Sequence, residues 1–361
     1  MAFGISVYPG LDNTPEENIA LIRRAARLGF TRLFTSLHIP EHDKAAFADE
    51  LHAILDAARG ARLDLIADVT PESADLLGLA SCTPETFCAF GIRTLRLDDG
   101  FDVRDIASFT RSRPGARIQL NASAVSEEFL TALSKNGADF SQMEALHNFY
   151  PRTGTGLSIR ALSEKTALLH RFGVRVGAFV ATRDGRKRSP LRDGLPTLEL
   201  HRNFPVGLAA RHLAALGLDD LFLSDALPTD NELTALAGAT PNLVTLRAVP
   251  TIENNAVRRF LAEPFTARPD EARDAVRAVE GRARAKALSL PLLPENTNPR
   301  PFGAITWDNA DYLRYAGELQ IIKRPQSADP RTNVIAHIRE EERFLISCIR
   351  PGARFRILLD E

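Results

Sequence analysis

Four carboxylates stand in or just after short apolar runs: Asp68 in LDLIADV, Asp98 in TLRLD, Glu144 in FSQMEALH and Asp225 in DLFLSD. A carboxylate beside a packed core is costly unless it is partnered. Four of them brought to one face therefore point to a site. Paired carboxylates suit glycoside hydrolysis, in which one protonates the leaving oxygen while the other attacks or activates water. Asp68, Asp98, His147 and Asp225 could instead gather a metal. They lack the local spacing of a metal motif, however, and no HExxH or serine nucleophile elbow occurs. The expectation is no metal and no cofactor.

Other polar residues fall at the same positions along the chain. Tyr8 follows the first run, and His38 to Asp43 follows the second, with Glu41 inside it. Asn121 ends the fifth, and His147, Asn148, Phe149, Tyr150, Pro151 and Arg152 follow the sixth. Arg183, Arg186, Lys187, Arg188, His201 and Arg202 come after the seventh. Guanidinium forks in this set suit phosphate or carboxylate, although Arg186-Lys187-Arg188 also reads as a solvated loop. Asp99 and Asp102 read as helix-start residues, His42, His52 and His170 as surface residues, and His337 as structural.

Elements with a strict rhythm must position these groups. Apolar, β-branched runs at 3–8, 32–39, 63–69, 94–98, 117–121, 140–147, 174–181 and 220–225 alternate with amphipathic stretches such as Glu16–Leu28 and Ala45–Ala58. Such alternation is the mark of βαβ units. Thr14-Pro15-Glu16-Glu17 is a helix start, and Gly29, Gly173 and Gly217 are helix stops. Eight units in about 240 residues predict an α/β fold, a (β/α)8 TIM barrel, with its active site where the strands end. A doubly wound sheet would want a glycine-rich phosphate turn, and neither GxGxxG nor GxxxxGK[ST] is present.

The rhythm stops near residue 240. Residues 243–249 read as a strand, Arg268–Ala287 as a charged helical stretch and 288–301 as a proline-rich linker. Five short strands follow, at FGAITWD, GELQIIKR, TNVIAHI, RFLISCI and ARFRILL. They predict a small antiparallel barrel or sandwich over 241–361, with Trp307 packed inside it.

Composition excludes several functions. The 361 residues carry 45 Lys and Arg against 46 Asp and Glu, a net charge of −1. No whole-molecule field draws nucleic acid or anionic lipid. Three cysteines, Cys82, Cys88 and Cys348, make neither a disulfide framework nor a zinc knuckle. No leader pattern and no apolar span of membrane length appears. The expectation is a cytoplasmic protein without nucleic-acid or membrane partners. Oligomeric state is left open, with a homodimer as one expectation.

The segments GISVYP (4–9), FTSLHIPE (34–41), LRLDDG (95–100), LNAS (120–123), EALHNFYPRTGTGL (144–157), GLPTLELHRN (194–203) and RYAGELQIIK (314–323) resemble the bacterial 6-phospho-N-acetylmuramidase (MupG-type) glycoside hydrolases. The resemblance runs in order along nearly the whole chain, with Gly10 after GISVYP as a departure. It implies a TIM barrel followed by a cyclophilin-like β-domain. It also implies cytoplasmic cleavage of 6-phospho-N-acetylmuramyl-β-1,4-N-acetylglucosamine into N-acetylmuramic acid 6-phosphate and N-acetylglucosamine, in cell-wall recycling. On this reading Glu144 and Asp98 carry the acid and the base or nucleophile roles, with Glu41 and Asp225 next. Tyr8, His38, Asp68, Asn121, His147, Asn148, Tyr150 and His201 line the sugar. Arg152, Arg202 and Arg314 hold the phosphate or lactyl carboxylate. The competing readings are a metal-dependent sugar-phosphate isomerase or aldolase, and a non-catalytic phosphosugar-binding protein.

Overall fold

The structure is a computed structural model that describes residues 1–37, 44–112, 116–252 and 255–360, with only the backbone of 44, 45, 46 and 48. Two compact units emerge: Met1–Leu213 with Gly217–Ala239, and Thr240–Glu361 with Ala214–Leu216.

The first unit is a closed barrel of eight parallel strands in sequence order. They are β1 (Ala2–Ser6), β2 (Arg32–Ser36), β3 (Asp64–Val69), β4 (Thr94–Leu97), β5 (Arg117–Asn121), β6 (Met143–Leu146), β7 (Arg175–Val180) and β8 (Asp220–Leu223). β1 pairs with β8, Gly4 opposite Phe222, and closes the ring. A Cβ on Gly4 would lie 2.2 Å from the Phe222 ring, so only glycine lets that ring fill the interior. Helices cross between the strands, and their starts follow the expected chemistry. Thr14 and Glu17 form a reciprocal capping box at Pro15–Arg27, and Thr229 and Glu232 form another at Asp230–Ala237.

Barrel strands are buried on both faces, so each supplies an outward and an inward set of side chains. Tyr8, Phe34, Ile66, Leu146, Phe179, Leu195 and Phe222 form one apolar cluster, with Leu11 and Phe149 packed against it. The strand-start end is closed differently, by charge. Arg32 at the start of β2 donates to both oxygens of Glu144 on β6, with its NH1 at 3.2 Å from Oε2. Gln119 Nε2 donates to Glu144 Oε1 at 2.6 Å, and Arg32 Nε lies 3.4 Å from Asp64.

The second unit is one seven-stranded sheet. Its strands are β9 (Leu243–Pro250), β10 (Phe265–Thr266), β11 (Ala275–Arg277), β12 (Ala304–Asp308), β13 (Leu319–Ile322), β14 (Thr332–Ile338) and β15 (Arg354–Leu359), in the order β10-β15-β9-β14-β12-β13-β11. β9 and β15 run parallel, so the sheet is mixed rather than antiparallel throughout. Two local expectations fail. Arg268–Ala287 is not one helix: it contains β11, and only Gly281–Ala287 is helical. RFLISCI lies in a 3-10 segment, Glu340–Cys348, whose buried Leu345 and Ile346 mimic the apolar run of a strand. Trp307 is buried as expected, edge-on to Phe260 at 5.3 Å.

Candidate active site

The carboxyl ends of the strands meet at a mouth floored by aromatic rings. Phe149 stands edge-on to Tyr8, Phe34 and Phe179, at 6.5, 6.2 and 5.1 Å between centroids. The Arg188 guanidinium lies over two of these rings, 5.0 Å from Tyr8 and 5.3 Å from Phe149. Its Nε is buried and has no hydrogen-bond partner among the described residues. Arg186 behaves otherwise. It grips Glu17 through two bonds of 2.8 and 2.9 Å, which hold the Glu17 carboxyl down at about 2. The loop read as solvated thus divides its labour, with Arg186 tying it down and Arg188 facing the mouth.

Beside the rings sits an ionic centre that the sequence only half disclosed. Arg96, within β4, donates to Asp68 Oδ1 at 2.6 Å and also to Asn148 Oδ1. Both members of the Arg96–Asp68 pair are largely shielded, with side-chain exposures of 4% and 15%. A bonded guanidinium fixes such a carboxylate in one orientation. Asp98 follows β4, is half-buried, and makes no side-chain hydrogen bond or ion pair among the described residues. Arg96 went unread because TLRLD scans as an apolar strand. The signal was a charge at the alternate position between Leu95 and Leu97.

Other expected site residues take structural positions. Glu144 is the second residue of β6 and lies at the strand-start end, bonded to Arg32 and Gln119, so it does not share the mouth with Asp68. Asp225 is fully buried. Its Oδ2 accepts from Thr182 N at 2.9 Å and Leu195 N at 3.4 Å, and its Oδ1 from Arg188 N at 3.1 Å. Burial raises its pKa to about 6, a value that would suit a general acid. With both oxygens engaged by backbone amides, it instead moulds the loop that carries Arg188. The Tyr8 hydroxyl donates to Ser224 O at 2.6 Å, leaving its ring rather than its oxygen to the mouth.

The segments that carried the resemblance are bound to one another. Arg202 donates to Glu199 at 2.7 and 2.8 Å, to Gly194 O at 2.9 Å and to Tyr150 O at 2.9 Å. Glu199 in turn accepts from Gly154 N and Gly156 N, and its pKa falls to about 2 beside Arg202. Arg202 is therefore a buried clamp whose guanidinium is engaged by protein groups. His201 is buried, with its Nε2 2.8 Å from His212 Nδ1. Arg152 is exposed with no side-chain partner among the described residues, and the Tyr150 side chain is half-buried with none. Asn121 Oδ1 accepts from Ser123 N at 3.1 Å, shaping the turn after β5. Arg314 belongs to the second unit, where it is exposed and donates to the Tyr315 hydroxyl at 2.9 Å. His38 and Glu41 lie outside the described residues.

His147 is buried behind the mouth, between Ser123 Oγ at 3.2 Å and Thr166 Oγ1 at 3.1 Å. Ser123 Oγ also accepts from Asn148 N, so His147 supports Asn148 without reaching a ligand. Burial lowers the His147 pKa to about 3. A base with a depressed folded pKa stabilises fully above its unfolded value of about 6.5 and loses that contribution as pH falls towards 3. Asp225, raised to about 6, acts in the opposite sense, stabilising most below its unfolded value. The difference in unfolding free energy between wild type and His147→Gln isolates the histidine. Measured in urea, it is expected to shrink by about 1.4 kcal/mol per pH unit below pH 6.5. A difference that does not vary with pH refutes the neutral, buried imidazole.

Among the described residues no group of three or more His, Cys, Asp or Glu forms a metal site, and no helix is long and apolar enough to cross a membrane. A family model described as 6-phospho-N-acetylmuramidase, N-terminal, matches residues 3–238, and its C-terminal counterpart matches residues 244–358. The chain is also similar to the crystal structure of an uncharacterized B. cereus protein. That match has 30% identity and a TM-score of 0.86 and covers 99% of each chain. A conserved Enterococcus faecalis protein of unknown function matches at 30% identity and a TM-score of 0.69, over 100% of this chain and 97% of that one. No curated protein matches.

Proposed function

Because the chain belongs to the 6-phospho-N-acetylmuramidase family and is a glycoside hydrolase, we infer that hydrolysis takes place at the strand-end mouth of the barrel, with Asp68 as its ionised carboxylate. The observation that carries this reading is the Asp68–Arg96–Asn148 centre beside the Arg188 guanidinium and the Tyr8 and Phe149 rings. The substrate is 6-phospho-N-acetylmuramyl-β-1,4-N-acetylglucosamine, split to N-acetylmuramic acid 6-phosphate and N-acetylglucosamine in the cytoplasm during cell-wall recycling.

The chemistry assigns the groups. An oxocarbenium-like transition state gains positive charge at the anomeric carbon, which a fixed carboxylate stabilises or attacks. Arg96 holds Asp68 oriented for that work. Asp98, with no side-chain hydrogen bond or ion pair among the described residues, is the proposed second carboxylate, with Glu41 the alternative. Asn148 and Asn121 offer amide groups to the sugar. The rings of Tyr8 and Phe149 form an apolar floor for a pyranose face, and Arg188 supplies the charge for the 6-phosphate or lactyl carboxylate.

Release of N-acetylglucosamine from the phosphorylated disaccharide tests the whole reading, and its absence overturns it. Arg188→Gln separates binding from chemistry. A group that holds an anionic substituent distant from the scissile bond acts alike on ground and transition states. The expected result is KM raised about tenfold or more with kcat little changed. An unchanged KM removes Arg188 from the anion site.

A further inference from the structure

At the end of the barrel remote from the mouth lies a cavity of 640 Å³ that the hydrolase reading does not use. It opens between the last turn of helix Lys44–Ala61 and the starts of β3, β4 and β5. Arg59, Arg62, Arg93 and Arg117 line it, with Asp64 as the one carboxylate. That carboxylate is already engaged, by Arg32 at 3.4 Å and by the Thr94 hydroxyl at 3.1 Å. Arg59 has the exposed Asp56 at 3.2 Å, and Arg117 stands 3.8 Å from Glu144, which Arg32 already neutralises. Arg62 and Arg93 have no ion-pair partner among the described residues. Of the four guanidiniums that line the hollow, two, those of Arg62 and Arg93, are thus uncompensated among the described residues.

The backbone adds an independent observation. Six barrel helices end in one motif, in which a left-handed residue precedes an amide that bonds back to the carbonyl five residues earlier. Gly29, Gly78, Gly91, Gly137, Gly173 and Gly217 are those left-handed residues, with φ between 64° and 111°. The helix Lys44–Ala61 ends the same way, with Leu63 N bonded to Ala58 O at 2.9 Å, but its left-handed residue is Arg62, at φ 59°. Glycine adopts that conformation without penalty and arginine does not. The strained side chain is one that lines the cavity, and strain retained at one position suggests that the side chain is needed there.

We propose that this cavity binds a phosphorylated small molecule, a phosphomonoester or diphosphate whose oxygens are held by Arg62 and Arg93. The volume lies in the range of small-molecule sites and leaves room for an organic body beyond the phosphate. Leu55, Ala58 and Leu63 provide apolar lining for it. Guanidinium forks match phosphate oxygens in pairs. The site is separate from the mouth, so its occupant need not be the substrate.

Titration calorimetry on the full chain with AMP, glucose 6-phosphate and inorganic pyrophosphate tests this. At least one probe is expected to bind saturably, with affinity reduced about tenfold or more in Arg62→Gly and in Arg93→Gln and unchanged in Arg188→Gln. Arg62→Gly is further expected to keep or raise the Tm, since glycine relieves the backbone, and to keep wild-type release of N-acetylglucosamine. Saturable binding by none of the three probes overturns the proposal. So does binding indifferent to Arg62 and Arg93, or binding lost in Arg188→Gln, which would put the anion at the mouth. A lowered Tm in Arg62→Gly refutes the claim that the arginine is kept against strain.

Discussion

Asp68→Asn is expected to lower kcat about a thousandfold while leaving the fold in place. The asparagine keeps the shape and one carbonyl oxygen for the Arg96 bond of 2.6 Å. It loses the negative charge that a developing oxocarbenium requires. Loss of the charge should appear mainly in kcat, because that interaction strengthens as the reaction proceeds. The substitution also leaves Arg96 without its counterion in a shielded place, so a fall in stability of about 1–3 kcal/mol accompanies it. Kinetics on the folded fraction, with circular dichroism as the check on folding, decide the matter. A variant within tenfold of wild-type kcat would remove Asp68 from the reaction. Asp98→Asn and Glu41→Gln, assayed beside it, identify the second carboxylate.

The second large effect is on stability. Glu144→Gln breaks the buried pair with Arg32 and turns an acceptor of three bonds into a group whose amide opposes the guanidinium. Removing one partner of a buried pair costs about 3–5 kcal/mol, here because Arg32 is left with Asp64 alone, at 3.4 Å. In a unit of this size that corresponds to a Tm lowered by about 10 °C. The folded variant is expected to turn over at close to the wild-type rate, as Glu144 lies at the other end of the barrel from Asp68. Thermal unfolding and activity at low temperature separate the two. A kcat reduced a hundredfold with the Tm intact would restore the catalytic role that the sequence suggested for it.

The comparison of Glu144 with Asp68 shows where local pattern stops being informative. Both lie in apolar runs, and the runs themselves were legible because burial on two faces leaves a recognisable composition. A strand of four residues is only about 13 Å long. Displacing its start by three residues therefore moves a carboxylate from one end of the barrel to the other. FSQMEALH reads as one strand, yet its first three residues form a 3-10 turn and Met143 begins β6. Arg202 and His201 show a related effect. Their residue types suit phosphate and sugar, but within the fold they meet Glu199, backbone carbonyls and His212 before any ligand.

What the amino-acid order determined alone is what depends on near neighbours: eight β–α alternations, the helix start at Thr14, the helix ends at glycine, and the change of rhythm near residue 240. These follow from periodicity and from backbone groups that need partners within a few residues. Tertiary structure decided which charges are spent on the fold and which face a ligand. Arg32 meets Glu144 at a sequence separation of 112, and Arg96 meets Asn148 at one of 52. Such pairings arise from the stagger of strands around a closed barrel, and stagger is a property of the whole ring. Among the charges that the ring leaves unpaired within the described residues are Arg188 at one end and Arg62 at the other, where the mouth and the second anion site are proposed.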